Sequence, residues 1–237
     1  MWNGKNKAVT FSYDDGVTQD ERFIWMLNRH GLKATFNLNS GMLGENWRLE
    51  IGEKKHTISH VKFRPDEVRE IYRGHEIAVH GVQHLYLPDL TDEEIVAEVE
   101  NDRKALSELA GYEVVGMAYA CREVDDERVR RVIREHTGVK YCRAVNSSFS
   151  FDLPEDLYCL HGTFHHFAAS DEEIDRKIDE FLNAPDDGKK RLLYIWGHTY
   201  EFDLDPARWE RIENVLERLS GRDDIFYGTN REVLLGE

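Results

Sequence analysis

The sequence predicts an α/β fold: a parallel sheet closed, or nearly closed, into a distorted or incomplete (β/α) barrel of seven to eight strands, with residues 1–237 forming one domain. Short apolar runs alternate with amphipathic stretches from end to end. The runs are mostly continuous in their apolarity, as expected of parallel strands covered by helices. At 237 residues and 41% hydrophobic content, the chain can build one sizeable core, and no linker or low-complexity tract divides it. An open doubly wound sheet is the alternative arrangement of the same units.

The elements follow in order. Lys7–Tyr13 reads as a strand. Thr18 opens a helix, with Glu21 completing a capping box, Phe23, Ile24 and Leu27 forming its stripe, and Gly31 ending it. Lys33–Leu38 is the second strand. The connection from Asn39 to Arg64 is read as a long loop, of the kind that usually carries function or is disordered. Pro65 starts a short helix that ends at Gly74, and Glu76–Val79 is a short buried strand. Thr91 and Glu94 form another capping box, opening a helix lined by Ile95, Val99, Leu106 and Leu109 and stopped at Gly111. Val114–Ala118 is a strand, and a helix from Asp126 to His136 stops at Gly138. Val139–Ala144 and Tyr158–His161 are strands. Ser170 and Glu173 cap a helix carrying Ile174, Ile178 and Phe181, and Leu192–Trp196 is a strand. Asp205-Pro206 starts a helix with Trp209, Ile212, Leu216 and Leu219, stopped by Gly221. Ile225–Tyr227 is the last strand.

With 31 Lys and Arg against 46 Asp and Glu, the net charge is -15, which argues against a nucleic-acid partner. No apolar run approaches the roughly 20 residues of a membrane span, and MWNGKNK has no apolar signal core. A cytoplasmic protein with no membrane partner is expected. Cys121, Cys142 and Cys159 show no CxxC spacing, so buried reduced thiols are expected in place of a disulfide framework.

A barrel places its chemistry at the C-terminal ends of the strands. There the sequence has Asp14 and Asp15, then HGVQH (His80 to His84), AYACRE (Ala118 to Glu123), His161, and WGHTYE with His198 and Glu201. One carboxylate with two imidazoles suits Zn²⁺ first, and Co²⁺, Ni²⁺ or Fe²⁺ after it. The spacing His80-x3-His84 lets both rings face one point if the chain takes a helical turn. Alone, that spacing more often means two histidines capping or decorating a helix; the preceding strand and the carboxylate at another strand end shift the balance towards metal.

TFSYDDG resembles the TFDDG motif of the polysaccharide deacetylases, carbohydrate esterase family 4. HGVQH resembles that family's H-[ST]-x-x-H, and YIWGH its late histidine motif. The resemblance implies an incomplete (β/α) barrel and a metal-dependent hydrolase that removes an N-acyl group, most simply acetyl, from an amino sugar or related amide. It implies Asp14 as catalytic base, Asp15, His80 and His84 as ligands of one divalent metal, His198 as general acid, and the backbone N–H of Cys121 as oxyanion donor. The substrate would be a small molecule or an oligosaccharide. Three departures stand out. Gly81 replaces a serine or threonine. The third motif, R-x-P-[YF]-G, aligns with Ala118 to Arg122 and lacks its arginine, for which Arg122 is either a substitute or a surface charge. Asp152 is only a weak match to the fourth motif's aspartate. Alternatives are a hydrolase of cyclic imides or ureides resembling allantoinase, and a non-catalytic sugar-binding relic.

Around these, His161, Arg122 and Glu201 are candidate substrate-binding residues, with Glu201 spaced either to orient His198 or to lie on the surface. His165 and His166 lie just beyond His161. His30 and His136, in last helical turns, read as structural, and His75 falls at the opposite barrel end. His56 and His60, in the long connection, would touch substrate or only solvent, with solvent the favoured reading. Trp47 reads as a loop anchor before a sugar platform.

Overall fold

The computed structural model describes residues 2–51 and 56–237. Its elements are β1 (Lys7–Asp14), α1 (Asp20–Arg29), β2 (Ala34–Leu38), β3 (Asn46–Ile51), β4 (His56–Val61), α2 (Val68–Ile71), β5 (Glu76–Val79), α3 (Asp92–Ala110), β6 (Gly116–Ala118), α4 (Glu127–His136), β7 (Tyr141–Ser147), β8 (Leu160–Gly162), β9 (Phe164–His165), α5 (Asp171–Leu182), β10 (Arg191–Gly197), α6 (Pro206–Leu219), β11 (Ile225–Tyr227) and α7 (Asn230–Leu234).

The central sheet is parallel throughout and runs β8-β7-β6-β5-β2-β1-β10-β9, with β11 added to β1. That order is not doubly wound. The two ends of the path are consecutive in the chain: β8 stops at Gly162 and β9 starts at Phe164. Between them the Thr163 N–H donates to the Tyr194 carbonyl (2.8 Å), so the sheet curls back on itself without closing its ladder. The expected barrel is present in incomplete form.

Period-2 alternation sorts the strand residues onto two faces. Val9, Phe11, Tyr13, Leu193 and Ile195 join the large outer core with helix residues such as Phe23, Leu27, Ile212 and Leu216. Ala8, Tyr141, Leu160, Leu192, Tyr194 and Trp196 face inwards and pack on Trp2 and on Val233 and Leu234 of α7. The inward face is partly polar. Glu76, fully inside, accepts from Thr35 Oγ1 (2.7 Å), Tyr141 OH (2.8 Å) and the Arg231 N–H (2.9 Å).

Three sequence readings are corrected. The connection from Asn39 to Arg64 is no plain loop: it carries the antiparallel hairpin β3–β4, paired from Asn46↔Val61 to Ile51↔His56. Its solvent-lapped strands lack the apolar signal that marks the barrel strands. Thr18 does not cap α1; Gln19 holds the N-cap position without a side-chain cap, and the Thr18 N–H is drawn to the hairpin at Val61 O (2.8 Å). The helix α7, with a Thr229–Glu232 capping box, was not foreseen because it is only one turn long. The boxes at Thr91–Glu94 and Ser170–Glu173 form as read. Among the described residues, no helix is long and apolar enough to cross a membrane.

Candidate active site

Asp14 closes the inward row of β1: Ala8, Thr10, Ser12, Asp14. The same parity carries β2 to Asn37, β5 to His80, β7 to Arg143 and β10 to His198. Five strands thus aim polar side chains at one point above the barrel interior. Asp14 is buried, accepts from Asn37 Nδ2 (2.8 Å) and lies 2.5 Å from Nη2 of Arg143. The Arg143 guanidinium, itself wholly buried, stacks on the Trp196 ring at 4.2 Å. Burial would raise the Asp14 pKa, but Arg143, His80 and His198 outweigh it and hold the carboxyl below its ordinary value.

Asp15 points elsewhere because the backbone turns: its φ is +80°, and Gly16 follows at +65°. A Cβ on Gly16 would come within 2.6 Å of Leu38 Cδ2, which explains the glycine after the paired carboxylates. His84 (φ +57°) and Cys121 (φ +70°) are also left-handed. Three strained non-glycine residues at one rim mark a site that the surrounding structure holds in place.

Asp15, His80 and His84 each offer one ligand atom, and these atoms lie within 4.8 Å of one another. His80 Nδ1 sits 2.9 Å from the Ala118 carbonyl. A carbonyl only accepts, so Nδ1 carries the proton and Nε2 keeps its lone pair. Burial lowers the His80 pKa to about 4, so the ring is neutral near pH 7. His84 Nε2 is 3.8 Å from Asp15 Oδ1, while its Nδ1 faces Cys121 Sγ at 3.6 Å. One carboxylate and two imidazole nitrogens fit a divalent ion of the zinc type.

The loops bearing these ligands are braced. Lys62 Nζ, buried, donates to the Asp15 carbonyl (2.7 Å) and to Asn39 Oδ1 (2.8 Å), and Asn39 Nδ2 donates to the His80 and Gly81 carbonyls (2.8 and 3.0 Å). His60 Nε2 lies 3.4 Å from Asp15 Oδ2. Burial would raise the Asp15 pKa; the His60 contact and the Lys62 charge outweigh it and hold the carboxyl well below its ordinary value. At Gly81 (φ +86°), a Cβ would stand 2.7 Å from Glu98 Oε1, and that oxygen accepts from the Gln83 N–H (2.7 Å). A serine or threonine at Gly81 would have to displace the buried Glu98 and also hold a left-handed backbone.

His198 Nε2 is 3.8 Å from Asp14 Oδ2, and its Nδ1 is 3.3 Å from Glu201 Oε2. That oxygen also faces His165 Nε2 (3.1 Å), His166 Nε2 (2.8 Å) and the His198 N–H (3.2 Å). Burial lowers the His166 pKa to about 4. The neutral ring then donates from Nε2 to Glu201 and accepts at Nδ1 from Tyr13 OH (3.1 Å). For His198, burial works against the charged form, but Glu201, then Asp14 and Asp15, push its pKa up to about 9.

A polysaccharide deacetylase family model matches residues 3–141, more than half of the chain. The chain belongs to the polysaccharide deacetylase family. It is by that membership a hydrolase of amide-type carbon–nitrogen bonds. The matched stretch holds Asp14, Asp15, His80, His84 and Cys121 and stops before Arg143 and His198. Solved structures share the fold over nearly the whole chain. A polysaccharide deacetylase from Mycobacterium smegmatis has 17% identity, covering 99% of this chain and 91% of its own, at a TM-score of 0.66. The Puue allantoinase has 13% identity with the same coverages and a TM-score of 0.68. A family 4 carbohydrate esterase from Streptomyces lividans, in complex with acetate, has 15% identity, coverages of 95% and 93%, and a TM-score of 0.57. None of the curated proteins compared matches the chain.

Of the residues singled out from sequence, Asp14, Asp15, His80, His84 and His198 converge. Glu201 orients His198 and is no free surface carboxylate. Cys121 lies beside His84, its thiol exposed, contrary to the expectation of buried thiols; its N–H has no backbone partner among the described residues. Arg122 lies over the Tyr86 ring at 4.0 Å, and the guanidinium on Asp14 belongs to Arg143. Ala118, aligned with the missing third-motif arginine, pairs in register with Arg143 on the next strand, so the charge has moved one strand over at the same level. Its signal in the sequence was an arginine inside the apolar run YCRAV. His161 is bonded to Glu123 (2.8 Å) and Asp152 to Lys189 (2.6 Å), neither in the Asp14 cluster. His60, expected in solvent, is buried against Asp15; His56 is exposed.

Proposed function

We propose that this protein is a metal-dependent amidohydrolase that removes an N-acyl group, acetyl in the simplest case, from an amino sugar or related amide. The observation that carries the reading is the opposition of Asp14 and His198 beside a three-ligand group of the zinc type. Asp15, His80 and His84 would hold one divalent ion, Zn²⁺ first among the candidates. When bound, such an ion supplies Lewis-acid polarisation of a carbonyl and lowers the pKa of a water.

The remaining steps fall to the chain. Asp14, kept ionised chiefly by Arg143, takes the proton of the attacking water. The Cys121 N–H donates to the oxygen that becomes negative on the tetrahedral carbon. His198, protonated and oriented by Glu201, hands its proton to the leaving nitrogen. An amine leaves poorly without that proton, so the raised His198 pKa accords with the role of acid.

A second reading, hydrolysis of a cyclic imide or ureide, draws support from the hairpin β3–β4. His60 and Trp47 of the hairpin, with ring centroids 6.4 Å apart, wall the Asp15 side together with Tyr200, 5.0 Å from both His60 and His198. That wall favours a compact substrate. The metal-loaded protein should be assayed on N-acetylated mono- and oligosaccharides and on cyclic imides and ureides. Turnover of the first group alone supports deacylation, turnover of the second alone supports the alternative, and turnover of neither returns the protein to a binding role.

A further inference from the structure

A second ligand cluster lies outside the Asp14 site and shares no residue with it. Glu123, on the loop after β6, and Cys159 and His161, at β8, each offer one ligand atom, and the three atoms lie within 4.8 Å of one another. We infer that Glu123, Cys159 and His161 form a second metal site, selective for a borderline-soft divalent ion such as Zn²⁺.

Cys159 and His161 flank Leu160, which packs inside the barrel; strand parity puts both on the opposite side from Leu160. Glu123 is already oriented. Its Oε2 accepts from the Val145 and Asn146 N–H groups (3.1 and 3.0 Å), leaving Oε1 to face His161 Nε2 at 2.8 Å. The Cys159 Sγ faces the Val124 carbonyl at 4.0 Å, a weak contact, and takes a hydrogen bond from the Arg130 side chain, which a metal would replace. Burial pushes the Cys159 thiol up, against the hydrogen bond and charge of Arg130, which also pairs with Asp125 and Glu127 at 3.0 Å.

The chemistry selects the ion. A thiolate, a carboxylate and an imidazole together carry two negative charges and balance a divalent cation, with a fourth position left to solvent. The sulfur disfavours magnesium and calcium and favours zinc-type ions. Binding releases the thiol proton and exchanges the Glu123–His161 hydrogen bond for coordination. Because Glu123 and Cys121 share one loop, an ion here would tie that loop to β8.

Metal-stripped full-length protein should be titrated with Co²⁺ alone, following stoichiometry and near-ultraviolet thiolate-to-cobalt absorption. Two equivalents and a thiolate band are expected. Cys159→Ser and His161→Ala should each lose one equivalent and the band. His80→Ala should lose the other equivalent and keep the band, and Cys121→Ser should keep both. A single equivalent without a thiolate band overturns the inference, as does a band that survives Cys159→Ser. As a check on unmutated protein, Zn²⁺ should slow alkylation of Cys159, with the effect lost in His161→Ala; an unchanged rate in wild type also overturns it.

Discussion

Arg143 of β7 and Asp14 of β1 meet across the barrel, Nη2 to Oδ2 at 2.5 Å, although three strands separate theirs in the sheet. Both side chains are withdrawn from water. A buried ion pair costs desolvation that its attraction barely repays, so its main consequence appears when one partner is removed.

Arg143→Met should destabilise the protein by about 3–5 kcal/mol, since it leaves Asp14 as an uncompensated buried charge. Asp14→Asn combined with Arg143→Met should recover a good part of that stability and none of the activity. Arg143 lowers the Asp14 pKa, so its loss should raise it and move the acid limb of the kcat profile to higher pH. Arg143→Ala with Ala118→Arg tests the register relationship: partial return of activity is expected, because the two positions are paired neighbours. Urea titrations and pH–rate profiles of the three variants check these outcomes, and an Arg143→Met single mutant as stable as wild type would contradict the buried-charge account.

The two adjacent carboxylates should separate on mutation. His80→Ala should lose both metal and turnover. Asp14→Asn should keep the metal and lose turnover by about 10²–10⁴-fold, the usual contribution of a general base. Metal content measured beside rate distinguishes them, and loss of metal in Asp14→Asn would exchange the roles of Asp14 and Asp15.

Much of this site is legible in the sequence, for a geometric reason. Residues that continue the inward row of a strand, such as Asp14 and His198, are found by counting in twos from the apolar core. What was missed comes from elsewhere. His60 and Lys62 lie on and just past β4, whose buried row is Ile58, His60 and Lys62, so only one of its three members is apolar and the alternation gives no core signal. Arg143 lies within a strand, where a charge is unexpected, and only its partner on a distant strand explains it. Glu201 was read as an either-or; a spacing of three residues cannot reveal that His165 and His166 share its oxygen.

Glu201→Gln should test that shared oxygen. Glu201 is the leading group that raises the His198 pKa, against the effect of burial. Its neutralisation should lower that pKa, and since the acid must be protonated to act, the basic limb of the pH–rate profile should shift to lower pH. kcat on an amide should fall by about 10²-fold or more if the acid is also misoriented. An ester, whose leaving group needs less protonation, should lose clearly less. An unmoved basic limb with equal losses on both substrates would reduce Glu201 to a structural brace.

His75 offers a pH test far from the chemistry, at the N-terminal end of β5. Its Nδ1 accepts from the Ala34 N–H (3.1 Å), and Nε2 donates to Asn28 Oδ1 (3.2 Å), an arrangement that requires the neutral ring. Burial first, then the Lys33 charge, lowers its pKa to about 4, against roughly 6.5 in the unfolded chain. Because the folded value is the lower one, the unfolded state takes up the proton first as pH falls. The stability tied to neutral His75 is therefore complete above about pH 6.5 and drains away towards pH 4, by at most roughly 3 kcal/mol. In His75→Asn, the side-chain oxygen can still accept from Ala34, but nothing titrates there. The variant should be less stable than wild type near pH 7.5, with the gap narrowing steadily as the pH approaches 4. Urea unfolding at half-unit intervals measures the gap directly, other titrating groups being common to both proteins. A gap that stays constant over this range would mean that His75 keeps an ordinary pKa in the fold and that its burial does not govern its protonation.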